Sequence, residues 1–188
     1  MKAFGALEMG LKEDELKPLV NAWRRANPNV VRFWWAADNA AKTAVKEKKI
    51  TETHGIRFGY QSNMLFITLP SGRKLAYVKP RIGENRFGSE CVTYEGIGAT
   101  KKWERIESSP GKWVENITQA VARDILYYAL STFRSFGVVM HIHDEIVMEV
   151  EKHVLTSVVC EQMSHVPPWA KGLPLRCDGY ETNFYKKD

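Results

Sequence analysis

Five short runs of β-forming residues lie between residues 50 and 106, and segments with helical periodicity flank them on both sides. The runs read IRFGY, MLFITL, KLAYVK, CVTYEGI and WERI, and they are rich in the β-branched and aromatic residues that favour strands. Pro70-Ser71-Gly72-Arg73 separates the second run from the third and has the composition of a tight turn. We therefore predict that MLFITL and KLAYVK pair as a hairpin.

The flanking segments predict long helices. Residues 11–26 have apolar side chains at helical spacing, and Asn27-Pro28 supplies a cap and a first-turn proline for a second helix that runs to about residue 49. The remaining predicted elements are a helix over residues 111–136, a hairpin over 138–151, a helix over 153–164, a turn at Pro167-Pro168 and a strand over 175–180. Antiparallel hairpins packed with long α-helices define an α+β fold, and no repeat or linker divides residues 1–188, so we expect a single domain.

The composition narrows the class of protein. A net charge of +5 favours an anionic partner. The three cysteines are widely and irregularly spaced, which predicts reduced thiols and no disulfide framework. The first residues lack a secretory signal, and no apolar run approaches the roughly 20 residues of a membrane span. We therefore expect a soluble, cytoplasmic protein with no membrane partner.

A basic stripe lies on the predicted second helix. Lys42, Lys46 and Lys49 fall at i, i+4 and i+7 on one face. Such a stripe can follow a phosphate backbone, but a helix face that is simply solvated is the commoner case. The sequence leaves both interpretations open.

The stretch HIHDEIVMEV places His143, Asp144 and Glu145 between two apolar runs. Neighbouring side chains on a regular strand point to opposite faces, so only a bend lets both carboxylates approach one point. A carboxylate on a rigid hairpin turn is a suitable ligand for Mg²⁺, although acidic residues also occupy turns merely because turns are wet. His141 and His143 have a spacing that zinc sites use, but no cysteine or third histidine nearby completes such a site.

The helix that precedes this stretch has an unusual polar face. At about 100° per residue, one face carries Lys112, Asn116, Gln119 and Arg123. Side-chain amides can donate hydrogen bonds to the minor-groove acceptors of base pairs, and cations suit phosphates. The pattern therefore indicates a surface for duplex DNA.

Two consecutive motifs carry a resemblance to a known family. KWVENITQAVARDIL followed by VVMHIHDEIVMEV resembles the last two motifs of the DNA polymerase I family, also called family A, in which a helix with a minor-groove glutamine precedes a hairpin with a His-Asp-Glu motif. EDELKPLVNAWRRANPNVVRFWW resembles the helices that follow the nucleotide-binding helix of the fingers, and LPSGRKLAYVKPRI resembles the family's glycine-arginine hairpin. The resemblance covers essentially the whole chain and is closest to phage-borne members.

The resemblance implies a role for each residue of the two motifs. By this resemblance, Asp144 corresponds to the metal-binding carboxylate of the palm, and Glu145 corresponds to the adjacent supporting carboxylate. His143 contacts the primer terminus, and Gln119 hydrogen-bonds the minor groove near the growing end.

One departure from the family pattern affects the partner asparagine. The family places it four residues before the glutamine, where this chain has Glu115; Asn116 lies three before the glutamine, on the same face of the helix. We keep Asn116, with Lys112 and Arg123, among the predicted DNA contacts.

The fold and activity implied by the resemblance are those of part of a right-hand polymerase. The chain corresponds to a partial palm plus the base of the fingers, and the complete protein carries out template-directed DNA synthesis from deoxynucleoside triphosphates with Mg²⁺. Two-metal catalysis needs a second aspartate from an earlier palm strand and a fingers helix that holds the triphosphate, and this chain shows neither motif. We therefore expect a C-terminal fragment that is inactive without the N-terminal polymerase segment.

Two other functions stay open at the level of sequence. The chain could be a non-catalytic nucleic-acid-binding module or inactive remnant, which keeps the basic surface without the chemistry. A one-metal nuclease built on Asp144 and Glu145 is a weaker alternative, because no general base is placed by the sequence.

Overall fold

A computed structural model describes residues 5–185 and confirms the α+β class, with helices and antiparallel strands. The helices of this part of the chain are α1 (Glu13–Ala26), α2 (Pro28–Glu47), α3 (Pro110–Thr132) and α4 (Thr156–Met163), followed by a 3₁₀ helix at Pro168–Ala170. The strands are β1 (Thr51–Thr53), β2 (Ile56–Gln61), β3 (Met64–Thr68), β4 (Lys74–Glu84), β5 (Glu90–Ile97), β6 (Trp103–Glu107), β7 (Val138–Ile142) and β8 (Glu145–Met148). None of these helices is both long and apolar enough to cross a bilayer.

The described residues divide into two compact units, each assembled from separate stretches of chain. Unit 1 comprises residues 5–54, 58–65 and 77–114, and unit 2 comprises residues 55–57, 66–76 and 115–185. Since strands and α3 contribute residues to both, no single point in the sequence separates them. The expectation of one domain stays a prediction.

Strands β1 to β6 form one sheet in sequence order, as a meander. The predicted hairpin of β3 and β4 is confirmed, and the Leu69 amide donates to the carbonyl oxygen of Arg73 at 2.8 Å across its turn. Gly72 has a φ of +87° in this turn, a backbone conformation that other residues rarely adopt. The turn signal Pro70-Ser71-Gly72-Arg73 was enough to predict this one pairing, whereas the other pairings of the meander were not predicted.

Trp113 lies at the centre of unit 1 and has no exposed surface. Its ring meets Tyr77 edge-on at a centroid distance of 4.9 Å, and it meets the tilted ring of Tyr94 at 6.1 Å. The indole Nε1 donates to the carboxylate of Asp38 at 3.2 Å, and Lys42 pairs with the same carboxylate at 2.6 Å. A buried charge is tolerated only when it is paired and hydrogen-bonded, and Asp38 satisfies both conditions.

The basic stripe predicted on α2 is not a row of unpaired cations. Lys42 pairs with buried Asp38, Lys46 pairs with Glu90 at 2.6 Å, and Lys49 pairs with Glu47. Lys49 also lies beyond the end of α2. Because a carboxylate engages each of these lysines, we do not assign this face to a phosphate backbone.

The predicted strand over residues 175–180 is wrong, because this segment joins neither sheet of the described chain. A strand requires a partner for its backbone ladder, which alternation in sequence cannot supply. The segment is held by side chains instead, with the sulfur of Cys177 3.4 Å from that of Met163. Burial and then neighbouring Cys160 raise the pKa of Cys177 to about 11, so its thiol is neutral. All three cysteines are free thiols.

Candidate active site

The candidate site is the hairpin of β7 and β8, which confirms the predicted bend at the His-Asp-Glu motif. Ile142 pairs with Glu145, so His143 and Asp144 form a two-residue turn between them. His143 has a φ of +51°, the left-handed conformation that matches tight hairpin turns to the twist of their strands. At the open end, a Cβ on Gly137 would lie 2.0 Å from the carbonyl oxygen of Glu149, so only glycine fits.

The turn presents Asp144 and His143 to solvent, whereas Glu145 is half-buried at the start of β8. Among residues 5–185, no hydrogen bond or ion pair engages the Asp144 carboxylate. The same part of the chain contains no group of three or more His, Cys, Asp or Glu side chains arranged to hold a metal ion. The turn therefore offers one exposed carboxylate and a half-buried neighbour.

Tyr185 restrains Glu145 and was not predicted from the sequence. Its hydroxyl donates a hydrogen bond to Glu145 Oε2 at 3.1 Å, across 40 residues of chain. Burial, followed by this hydrogen bond, raises the pKa of Tyr185 above its ordinary value, because both favour the protonated phenol beside a carboxylate. The bond orients Glu145 while Asp144 stays exposed.

The polar face of α3 is accessible over most of its length. Lys112, Gln119 and Arg123 are exposed, and Asn116 is half-buried. The opposite side of the helix supplies buried Trp113 and Ile117, as predicted. Lys112 belongs to unit 1, and the other three polar residues belong to unit 2 together with the hairpin.

Tyr127 links the α3 face to the hairpin within unit 2. Arg123 donates to the Tyr127 hydroxyl at 3.2 Å, and its guanidinium lies 5.2 Å from the centre of the tyrosine ring. The same ring meets His141 of β7 edge-on at 5.9 Å. His141 thus packs on an aromatic ring, two residues from His143, and the two predicted motifs are in contact.

The turn between β3 and β4 is fastened to α3 beside Arg123. Arg73 Nε donates to Asp124 Oδ1 at 2.5 Å, and Ser71 Oγ donates to the other carboxylate oxygen at 2.5 Å. Arg73 also donates to the carbonyl oxygen of Ala120 at 2.7 Å. Because Asp124 is only 9% exposed while Arg73 is 40% exposed, the arginine shields a nearly buried charge. These bonds fix the turn of α3 that carries Gln119 and Arg123.

Arg73→Ala should lower the free energy of unfolding by about 1–3 kcal/mol, because it leaves the Asp124 carboxylate without its main donor. Urea unfolding followed by circular dichroism measures the change. Arg73→Lys keeps the charge but loses the two-pronged donor, so we expect an intermediate loss. Equal stability of Arg73→Ala and the unaltered chain would show that solvent satisfies Asp124 equally well.

The donor chemistry of the turn fits Mg²⁺. This cation prefers carboxylate oxygens, keeps several waters and binds through one or two protein carboxylates together with substrate phosphates. An exposed Asp144 on a two-residue turn leaves room for those waters and for a substrate.

Comparison with known proteins links the chain to a phage DNA polymerase. No family model matches the chain, and no solved structure matches it. The DNA polymerase of Bacillus phage SP02 is 48% identical to it over 193 aligned positions, which cover 98% of this chain. The chain spans 29% of the length of that relative. It is therefore similar, along nearly all of its length, to one part of a phage DNA polymerase.

Proposed function

We propose that this chain is the part of a DNA polymerase I family enzyme that carries the metal-binding hairpin and the primer-side DNA surface. The observation that carries the proposal is the contact between the two motifs, in which Arg123 of α3 reaches His141 of the hairpin through Tyr127. The similarity to a phage DNA polymerase supports the same function. The reaction is nucleotidyl transfer from deoxynucleoside triphosphates to a primer on a template, as part of DNA replication or repair synthesis.

In this proposal, α3 binds the duplex near the primer end. The amides of Gln119 and Asn116 donate to minor-groove acceptors, which every base pair presents. Lys112 and Arg123 contact phosphates, which position the duplex without reading its sequence. His143, exposed at the turn, contacts the primer terminus.

Asp144 would hold Mg²⁺, with Glu145 supporting it from the adjacent position. When bound, the metal supplies stabilisation of the charge that develops on the attacking and leaving oxygens. The hydrogen bond from Tyr185 keeps Glu145 directed to one side of β8. A second carboxylate and the triphosphate-binding helix would come from the remainder of the polymerase.

Binding of a primer–template by the chain should weaken as salt rises, because phosphate contacts release counterions. Arg123→Ala should lower the slope of log affinity against log salt by roughly 0.9, the contribution of one phosphate contact. Gln119→Ala should weaken binding at every salt concentration with the slope unchanged. Fluorescence anisotropy of a labelled primer–template measures both effects.

Arg134→Ala is the matched control, since Arg134 is an exposed arginine after the end of α3. It should leave the slope unchanged. If Arg123→Ala and Gln119→Ala bind like the unaltered chain, α3 is not the DNA surface.

Mn²⁺ should bind the chain weakly, because one or two carboxylates make an incomplete site, and Asp144→Asn should diminish this binding. Water-proton relaxation during a Mn²⁺ titration reports the bound ion. Glu149→Gln removes an exposed carboxylate just after β8 and should have no effect. Tight binding, or weak binding that survives Asp144→Asn, contradicts the assignment of Asp144.

A non-catalytic nucleic-acid-binding module is the second candidate. It would use the exposed polar face of α3, with Lys112, Gln119 and Arg123, without any metal chemistry. A non-catalytic module would show the same salt-dependent binding of DNA through α3. Asp144→Ala would then leave primer extension by a complete polymerase that contains this chain unchanged.

A further inference from the structure

The corner between α1 and α2 is basic and aromatic, and neither the hairpin nor the α3 face uses it. Residues 16–37 contain four cationic side chains and no aspartate or glutamate. The cations are Lys17, Arg24, Arg25 and Arg32, and the same segment contains Trp23, Trp34 and Trp35. Cations interleaved with exposed aromatic rings are typical of surfaces that bind single-stranded nucleic acid.

A cleft of about 510 Å³ opens at this corner, a volume within the range of small-ligand sites. Its walls are Leu19, Val20, Ala22, Trp23 and Arg24 of α1 and Trp34 of α2. The walls are mostly apolar, and Arg24 provides the charge.

The two tryptophans of the cleft form a stacking platform. Their rings are nearly parallel, at an angle of 16° and a centroid distance of 5.6 Å. Trp23 nevertheless remains 46% exposed, so much of its indole is available to another flat ring. Bases of every type stack on such a surface, because each has a π-face.

The corner is also fixed in place before any ligand arrives. The side-chain amide of Asn27 donates to the carbonyl oxygen of Trp23 at 2.8 Å, and the Asn27 backbone amide donates to the same oxygen at 3.0 Å. Asn27 in turn accepts the Val31 amide at 3.2 Å, in the first turn of α2. A preorganised surface loses little conformational entropy on binding.

The arginines beside the cleft differ from the lysines of α2 in their ion pairing. Arg24 and Arg25 are exposed, and no ion pair within residues 5–185 involves either of them. The α2 lysines are each neutralised by a carboxylate, as described above. The α1–α2 corner therefore offers a phosphate two exposed arginines that no carboxylate within residues 5–185 neutralises.

We infer that the α1–α2 cleft binds single-stranded nucleic acid, with an unpaired base stacked on Trp23 and a neighbouring phosphate at Arg24. The inference rests on the proposed function only for the source of the strand, which would be the unpaired template ahead of the primer. Stacking and a phosphate contact account for binding without any base-specific hydrogen bond.

A short oligothymidylate titrated into the 188-residue chain tests this, with quenching of tryptophan fluorescence and anisotropy as the readouts. Trp23→Ala should weaken binding roughly 5- to 150-fold, the range measured for loss of one stacked base. Arg24→Ala should lower the salt slope by roughly 0.7, the value for one phosphate of a single strand. Arg24 is exposed on α1, so this variant tests the site even if Trp23→Ala fails to fold.

Trp103→Ala and Arg57→Ala are the matched controls, since both residues are exposed and lie on strands β6 and β2. Both should bind oligothymidylate like the unaltered chain. The inference is overturned if Trp23→Ala and Arg24→Ala also bind unchanged. It is equally overturned if Trp23→Ala alters self-association in sedimentation but not oligothymidylate binding, since the cleft is then a protein-docking surface.

Blunt duplex DNA separates this site from the proposed α3 surface. Gln119→Ala and Arg123→Ala should weaken binding of blunt duplex and leave oligothymidylate binding intact, whereas Trp23→Ala and Arg24→Ala should do the reverse. If the α3 variants do not weaken binding of blunt duplex, the α3 assignment fails. If the Trp23 and Arg24 variants do not weaken binding of oligothymidylate, the assignment of the α1–α2 cleft fails.

Discussion

Primer extension by a chimaeric polymerase, in which this chain replaces the matching segment of the Bacillus phage SP02 enzyme, should fall to background on Asp144→Ala. The expected loss is on the order of 1000-fold or more, because removing even one preorganised electrostatic group from a catalytic site commonly costs 100- to 1000-fold. A carboxylate that holds a metal ion would position the cation whose charge stabilises the transition state, so its removal should lower the rate at least as much. Extension of a labelled primer with Mg²⁺ and all four deoxynucleoside triphosphates measures the effect.

Glu149→Ala in the same chimaera is the control, since it removes a nearby exposed carboxylate and should retain synthesis. The 188-residue chain alone should show no extension, because two-metal chemistry needs carboxylates from separate strands. Template-dependent extension by the chain alone, or full activity of the Asp144→Ala chimaera, would contradict the proposed role.

Trp113→Ala should destabilise the chain by about 3–5 kcal/mol, the range for removing a large buried aromatic side chain. Trp113 has no exposed surface, packs edge-on against Tyr77, and donates to buried Asp38. The substitution therefore opens a cavity and also removes one of the two partners of a buried carboxylate. Since domains are stable by only about 5–15 kcal/mol, this loss is a large fraction of the total stability.

Urea unfolding and near-ultraviolet circular dichroism measure this loss. Trp103→Ala is the control for tryptophan removal, because Trp103 is 60% exposed and should change stability by about 0.5 kcal/mol or less. A loss for Trp113→Ala no larger than that of Trp103→Ala would show that the Trp113 cluster does not hold unit 1 together.

Local patterns predicted most of the secondary structure. The runs IRFGY, MLFITL, KLAYVK, CVTYEGI and WERI all became strands of the meander, because each joins its neighbour by a short turn. The polar face of α3 and the bend at His143 were also predicted, since helical and strand periodicities decide them residue by residue. The prediction of a strand over residues 175–180 was wrong because a strand there needed a partner far away in the sequence, which local patterns do not reveal.

Tertiary structure alone decided which polar groups act together. Tyr185 reaches Glu145 across 40 residues, and Arg73 reaches Asp124 across 51. The pairing of Asp38 with Trp113 spans 75 residues, and it explains a buried charge that the apolar pattern of α2 does not predict. The sequence by itself determined most of the elements and the motif residues, since those depend on neighbours along the chain. The partners of those residues depend on folding, which brings distant groups into a low-dielectric interior where each buried charge must be paired.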